Sequence, residues 1–413
     1  MWRGWCDERL GDWVVKQSER RELISDLTPE QKLLLLCSRV SLSERQVDWV
    51  RQTASAITDW QAFCASTVPH RLAALVNSHL KSHCAELLPE DAKAALQKYS
   101  MQQAMGYLKI AAAQKRLNQE IMQPSEVRHV FFKGIGLAEE YYPTAGHRPC
   151  RDIDLWIDPE GMAEVWARME AAGYRRLEKP DGAHRIPVHH AAFLLPTIDV
   201  LTPDGTLVEI HMKFDHSGLT LNADEIYRRS VMTQGSLGSF RVLDIEDHFI
   251  YVCLHHTRHL WARLRWLVDL DAFEKCPRFD RERVRERMEN SCVEKTVNAC
   301  FDLYDQLAEP HETMASTKWS AGEDLLYWVH SAAVHGPDEL NEAARDRRVP
   351  DFALRWQYSR WYGLRVRLQR LKPTQADYLA DPLDRDQWWR YYLSRPLRLA
   401  RQYFGAAKAV NTQ

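Results

Sequence analysis

The chain has 413 residues, of which 45% are hydrophobic and 27% charged, and its formal net charge is −2. That is an ordinary globular composition, with apolar material for two or three domains of about 150 residues each. The near-neutral balance excludes a whole-chain attraction to nucleic acids or other polyanions.

The cysteines and the apolar runs indicate the compartment. Nine cysteines are scattered along the chain without a C-x-x-C pair, which argues against a disulfide framework and a structural zinc site. The N-terminal MWRGWCDERLGDWVV carries acids and no long apolar run, so we expect no signal peptide. Since no run of about 18 apolar residues occurs, we expect no stable membrane insertion. The sequence therefore predicts a cytoplasmic protein.

Residues 1–125 predict an N-terminal helical region. Thr28 is a candidate N-cap, Pro29 occupies the first helical position, and an apolar run follows. From Pro89 onward, a long stretch rich in Ala, Leu, Lys, Gln and Met contains no interior proline. Such a stretch favours one long helix.

Residues 126–243 show a mixed pattern. The strand-like runs are VRHVFFK, DIDLWI, HAAFLLP and TLVEIHMKF, and PEGMAEVWARMEAAG is a helix between them. Strands mixed with helices at this spacing predict a small α/β core. His189 and His190, which precede the apolar residues of the third run, are expected at a hinge or strand edge, with a substrate contact as the alternative.

Residues 244–413 return to a helical pattern and predict a C-terminal helical domain. Arg265 and Asp269 are spaced i, i+4 on a predicted helix, so an ion pair on the helix surface is the default expectation. The predicted fold class is α+β: a small mixed-sheet core flanked by N-terminal and C-terminal helical regions.

Two aspartates lie inside the strand-like run DIDLWI. In a strand, Asp152 and Asp154 project from the same face within about 7 Å of each other. Like charges that close raise one pKa unless a cation lies between them. Mg²⁺ is commonly held by one or two carboxylates together with substrate phosphates, so the pair indicates a divalent-cation site. Glu209 in TLVEIHMKF is a third acid, and it joins the pair if the two strands are neighbours.

A lone D-x-D pair on a strand is more often solvated or salt-bridged than functional, but other features accompany this one. The dipeptide Lys133-Gly134 predicts a turn upstream, and Arg148 and Arg151 flank the aspartates. This turn is neither a dinucleotide fingerprint, because Glu139 occupies the third glycine position, nor a Walker A loop. The combination favours a functional site.

The order of these features resembles the nucleotidyltransferase superfamily typified by beta-type DNA polymerases. A Lys133-Gly134 turn precedes Asp152-x-Asp154, and Glu209-x-His211 follows on a later strand. More narrowly, the chain is similar to a poorly characterised bacterial nucleotidyltransferase family, and the resemblance covers most of its length. One departure is the turn, which has no serine where the superfamily usually has Gly-Gly or Gly-Ser.

The resemblance implies metal-assisted transfer of a nucleoside monophosphate from an NTP, with Mg²⁺ or Mn²⁺ as the cofactor. Asp152 and Asp154 would hold both ions. Glu209 would hold the catalytic ion and could accept the proton of the acceptor hydroxyl.

For the triphosphate, the resemblance implies a site at the turn. Gly134 would let the backbone approach the phosphates, and Lys133 would supply a positive charge. Arg148 or Arg151 would bind phosphate oxygens. Alternation along the strand places Arg151 opposite the aspartates, so Arg148 is the preferred candidate.

The C-terminal stretch is basic. Residues 355–401 hold eleven Lys or Arg against four Asp. A helical apolar stripe runs through it, formed by Trp361, Leu364, Leu368 and Leu371. We expect a helix packed on the domain with a solvated basic face. The alternative is a surface for RNA, a phosphorylated acceptor or a membrane face.

The leading hypothesis is a nucleotidyltransferase whose acceptor is a small molecule, a peptide or a surface-sugar precursor. One alternative is a catalytically inactive accessory protein of the same fold that binds a partner enzyme or a precursor peptide. Another is a toxin-like modifier of tRNA or protein. The three acids favour an enzyme, whereas the missing turn serine favours the accessory role.

Overall fold

A computed structural model describes residues 27–215, 219–235, 237–289, 291–308, 321–345, 360–369, 371–395 and 398. These residues fall into two units. The helical unit comprises those within Met1–Ala111, Lys133–Arg151 and Asp244–Tyr358. The sheet unit comprises those within Ala112–Phe132, Asp152–Leu243 and Ser359–Gln413. The division into three domains at residues 125 and 243 stays a prediction.

The sheet unit contains one seven-stranded mixed sheet, which confirms the predicted α+β class. Its strands are β1 His129–Phe131, β2 Asp152–Ile157, β3 Arg175–Arg176, β4 Thr197–Leu201, β5 Leu207–His211, β6 Val231–Gly235 and β7 Gly238–Val242. They lie in the order β3-β4-β5-β2-β1-β7-β6, with β2–β5 and β1–β7 parallel and the other pairs antiparallel. Strand β2 is therefore central, and all of its residues after Asp152 are buried.

Helices make up most of the remaining secondary structure that is described. They are α1 Pro29–Leu36, α2 Glu44–Ala54, α3 Trp60–Ser66, α4 Ala73–His83, α5 Glu90–Arg116, α6 Gly134–Tyr141, α7 Met162–Ala171, α8 Val188–Leu194, α9 Ala223–Arg229, α10 Ile245–Arg258, α11 Arg265–Glu274, α12 Arg281–Met288, α13 Glu294–Ala308, α14 Ala321–His335, α15 Pro337–Arg345, α16 Arg360–Gln369 and α17 Gln375–Ala380. In the described part of the chain, none of them has both the length and the apolarity needed to cross a membrane.

The predicted helix starts in the N-terminal region are confirmed. Thr28 caps α1 and forms a capping box with Gln31, in which each side chain accepts from the other residue's backbone N–H. The long helix after Pro89 is α5, and it continues as a π-helical segment at Leu117–Met122. Local capping and propensity signals were sufficient here because they act within a few residues.

One predicted strand is wrong. The run HAAFLLP is helical, because it belongs to α8. Val188, Ala191, Ala192 and Leu195 are buried at i, i+3, i+4 and i+7, which is helical spacing and not strand alternation. His190 is neither a hinge nor an edge residue: its buried ring packs 5.0 Å from Tyr378.

The helical run predicted from Asp244 is interrupted. α10 ends at Arg258 and α11 begins at Arg265. Between them Leu260 and Trp261 have φ of 54° and 49°. The Trp261 N–H donates to His256 O, so the chain closes the end of α10 and turns away.

Several basic C-terminal side chains form ion pairs within the sheet unit. Arg385 binds Glu160 at 3.1 Å, and the buried Asp377 pairs with both Arg395 and Arg398. Leu364, Leu368 and Leu371 of the predicted apolar stripe are exposed. The side chains of Arg360, Trp361 and Arg367 lie outside the described part, as do the residues Arg355, Arg370 and Arg401.

Buried histidines in the helical unit predict a dependence of stability on pH. Burial lowers the pKa of His70, His79, His256 and His330 to about 4 each. An unfolded histidine has a pKa of about 6.5, so the unfolded chain binds more protons between these values. The stability contributed by these neutral rings is complete above pH 6.5 and is lost as the pH falls towards 4.

We therefore expect His330→Gln to flatten the pH dependence of the free energy of unfolding. Between pH 6.5 and 5, the slope should fall by up to about 1.4 kcal/mol per pH unit, because one proton is no longer linked to unfolding. Urea unfolding at several pH values measures it. The control is His335→Gln, since His335 is exposed in the same helix. Equal slopes for both variants would contradict the prediction.

Candidate metal centre

The pairing of β2 with β5 brings acids together on one face of the sheet. The parallel register places Asp154 opposite Glu209 and Trp156 opposite His211. Because side chains alternate along a strand, Asp152, Asp154, Glu209 and His211 share that face. The two strands are thus neighbours in the fold, which is the condition under which Glu209 was expected to lie beside the aspartates.

Three side chains form a tight cluster on this face. Asp154, Glu209 and His211 each offer a ligand atom, and these atoms all lie within 4.8 Å of one another. His211 Nε2 lies 3.1 Å from Asp154 Oδ1 and 3.6 Å from Glu209 Oε2. The side chain of Asp154 is 5% exposed, whereas that of Glu209 is 32% exposed. The cluster is therefore buried on one side and reachable from solvent at Glu209.

One aromatic ring contacts the imidazole of the cluster, and two further rings pack in sequence behind it. The Phe132 ring meets His211 edge-on, with centroids 4.9 Å apart. Phe214 packs against Phe132 at 5.3 Å and stacks on Trp156 at 5.4 Å. The Phe132 N–H also donates to Asp154 O at 3.1 Å, which ties the backbone of β2 to the residue after β1. The contact with Phe132 covers part of the histidine ring with an apolar group, while its Nε2 lies beside the two carboxylates.

The next strand, β4, carries a further acid beside Glu209, and a lysine neutralises this acid. Asp199 of β4 lies opposite Glu209 on the other side of β5. Its carboxylate pairs with Lys179 at 2.7 Å. Because its charge is already compensated by Lys179, we do not count Asp199 among the candidate metal ligands.

The chemistry of the cluster suits a divalent cation. Burying two carboxylates close together is unfavourable unless positive charge compensates them. Carboxylate oxygens and imidazole nitrogens are both established ligands of divalent metals. The side chains that offer ligand atoms here are those of Asp154, Glu209 and His211, and Asp152 lies on the same face of β2.

The Lys133-Gly134 turn lies in the helical unit and has unusual backbone angles. Lys133 has φ 54° and ψ −140°, and Gly134 has φ 28°. A non-glycine residue in this region costs about 1–3 kcal/mol, so surrounding contacts must hold it. The Lys133 N–H donates to His248 Nε2 at 3.0 Å. The Lys133 ammonium lies 5.3 Å from the centroid of the Tyr251 ring.

A buried ion pair supports the same turn. Arg148 donates from Nε and Nη2 to the Asp269 carboxylate at 2.7 and 3.0 Å, and from Nη1 to Gly134 O at 3.0 Å. Tyr142 OH donates to Asp269 at 2.6 Å, and His256 Nε2 lies 3.0 Å from it. All three nitrogens of the guanidinium therefore have partners inside the unit.

The electrostatics of Asp269 follow from these contacts. Burial alone would raise its pKa, but the charge of Arg148 and the hydrogen bond from His256 outweigh burial and hold the pKa well below its usual range. The expectation of a helix-surface pair between Arg265 and Asp269 is wrong, because Asp269 is completely buried. Arg265 instead donates to Pro149 O at 2.6 Å.

The predicted site residues are divided between the two units. Lys133, Gly134, Arg148 and Arg151 belong to the helical unit, and Asp152, Asp154 and Glu209 belong to the sheet unit. Arg151 is exposed, whereas Arg148 is buried. The roles assigned to all seven stay predictions.

The site residues predicted from the sequence do not include His211. Its signal was the spacing Glu209-x-His211, which places both side chains on one face of a strand. Only the register with β2 shows that this face also carries Asp154.

A comparison with protein families gives a match over more than half of the chain. Residues 57–309 match the model of a family described as uncharacterised nucleotidyltransferase. The matched span includes the turn, both acid-bearing strands and helices α10 and α11. A search of the curated proteins found no match.

We expect Asp269→Asn to destabilise the protein by about 3–5 kcal/mol, because it leaves the buried charge of Arg148 uncompensated. The control is Glu282→Gln, whose carboxylate also pairs with an arginine but is 73% exposed. That change should cost less than about 1 kcal/mol. Urea unfolding of both variants at pH 7 measures the difference, and similar values for the two would contradict the buried role.

Proposed function

The chain belongs to the uncharacterised nucleotidyltransferase family, and on that premise we propose that it transfers a nucleoside monophosphate from an NTP to an acceptor. The observation that carries the proposal is the cluster of Asp154, Glu209 and His211 on two paired strands of the sheet. Family membership supplies the class of reaction, and the cluster supplies a place for the divalent cation that such a reaction uses.

The acids of the sheet have distinct roles in this proposal. Asp152, Asp154 and Glu209 would hold Mg²⁺ or Mn²⁺, which would stabilise the charge that develops as the α-phosphate passes to the acceptor and pyrophosphate leaves. Asp154 is the buried anchor, since its backbone and side chain are both fixed by neighbouring residues. Glu209 is the more exposed acid and is the better placed to accept a proton from an acceptor hydroxyl.

The turn residues keep the roles predicted for them as triphosphate contacts. The Lys133 ammonium supplies a cation, and Gly134 opens α6, whose N-terminal N–H groups carry partial positive charge. Arg151 and Arg148 remain the arginine candidates. Arg151 is exposed, whereas Arg148 would have to leave Asp269 and Gly134 to reach a ligand.

We propose a small molecule, a peptide or a surface-sugar precursor as the acceptor, with tRNA or a protein as the second choice. A cytoplasmic location accords with the eight described cysteines, none of which forms a disulfide. The competing hypothesis is the inactive accessory protein, which predicts that no NTP binds in a metal-dependent way.

Binding of an NTP should require a divalent metal. We expect a non-hydrolysable NTP analogue to bind the intact protein in Mg²⁺ or Mn²⁺ and to bind much more weakly in EDTA, because metal and phosphates share ligands. Titration calorimetry measures both. Asp154→Asn should remove the metal-dependent part, and Glu164→Gln, an exposed change in α7, should not. An intact protein without metal-dependent binding would favour the accessory role.

Replacing Glu209 by Gln should separate binding from chemistry. Glutamine keeps an oxygen for the metal but cannot accept the acceptor's proton, so the rate of transfer should fall at least about 100-fold while NTP binding is largely kept. Pyrophosphate release from an NTP, with a small-molecule extract as the source of acceptor, provides the measurement. Asp199→Asn is the matched control, because Asp199 lies opposite Glu209 but pairs with Lys179. Full activity in Glu209→Gln would contradict the assignment.

A further inference from the structure

We propose that His211 is itself a metal ligand, and that its nitrogen makes this centre favour first-row transition ions such as Mn²⁺ and Co²⁺ over Mg²⁺. The inference rests on the proposed function for the presence of a metal. It goes further by adding a nitrogen to a ligand set otherwise made of carboxylates, and by stating the ion preference that follows.

The distances carry the first step. Two ligands at right angles on an ion with bonds of about 2.1 Å lie about 3.0 Å apart. His211 Nε2 lies 3.1 Å from Asp154 Oδ1 and 3.6 Å from Glu209 Oε2. The distances from this nitrogen to the two carboxylate oxygens are therefore close to the distance between adjacent ligands of one ion. Small rotations of these side chains would bring all three ligand atoms to bonding distance of one ion.

The second step is that the imidazole is held in place. Its strand position is fixed by the register with Trp156, its ring meets Phe132 at an interplanar angle of 70°, and its side chain is 8% exposed. A ring that is buried and packed in this way loses little freedom when it binds an ion. Neutral imidazole binds through the nitrogen that carries no proton, so ligation through Nε2 places the proton on Nδ1.

The third step is the chemistry of selection. Mg²⁺ prefers oxygen ligands, whereas imidazole suits the later divalent ions. Affinity for a given set of nitrogen and oxygen ligands also rises from Mn²⁺ to Co²⁺. One imidazole in the set thus strengthens transition-ion binding more than Mg²⁺ binding. If His211 only donated a hydrogen bond to Asp154, its loss would weaken all ions alike.

Pulsed EPR of the Mn²⁺-loaded, full-length protein tests ligation without relying on activity or on a variant. We expect a ¹⁴N coupling that changes to a ¹⁵N pattern when the histidines are labelled with ¹⁵N. A bound Mn²⁺ without nitrogen coupling would overturn the inference. Failure of Mn²⁺ to bind, with or without a non-hydrolysable NTP, would also overturn it.

Metal titrations of His211→Asn give the second test. We expect Co²⁺ affinity to fall at least about 10-fold more than Mg²⁺ affinity, because asparagine offers an oxygen in place of the nitrogen. His189→Asn, an exposed change in α8, should alter neither affinity. Equal losses for both ions would overturn the inference. A nitrogen-coupled Mn²⁺ site that binds no nucleotide would leave the inference standing and contradict only the proposed function.

Discussion

The parallel pairing of β2 with β5 is the constraint on which the candidate centre depends. Side chains alternate along a strand, so a slip of one residue would send Glu209 and His211 to the opposite face from Asp154. The register is fixed by burial: Ile153 and Ile210 are completely covered, and β2 lies in the middle of the sheet. A core that tolerates only one register therefore also fixes the geometry of the acids. Position and stability are specified by the same hydrophobic contacts.

Buried carboxylates serve two different ends in this chain. Asp269 is enclosed by Arg148, Tyr142 and His256, and this network supports the carbonyl of Gly134. The carboxylate is thereby committed to holding the strained turn. Asp154 belongs to a cluster whose three ligand atoms converge within 4.8 Å and whose Glu209 is partly open to solvent. Convergence of several ligand atoms towards one point, together with access, distinguishes a centre that can take up an ion from an acid that supports the fold.

The sequence was most informative where structure is decided locally. The cap at Thr28, the long helix α5 and the strands β2 and β5 follow from capping, propensity and alternation over a few residues. The predictions are wrong where residues that are distant in the sequence determine the structure. The consecutive apolar residues after His189 favour a strand when only neighbouring residues are considered. The burial of Asp269 depends on Arg148, which is remote in sequence. The place of His211 in the cluster depends on the register of β5 with β2, which no local pattern specifies.

The arginine that precedes the D-x-D strand shows how one residue pattern can have two physical causes. A phosphate-binding site needs an accessible guanidinium, whereas Arg148 is buried and donates from all three nitrogens within the helical unit. To bind a phosphate it would have to leave Asp269 without its main counter-charge, at a cost of about 3–5 kcal/mol. Arg151 is exposed and would face no such cost. Support of the Lys133-Gly134 turn thus explains an arginine at position 148 as fully as substrate binding does, and it requires no rearrangement of a buried pair.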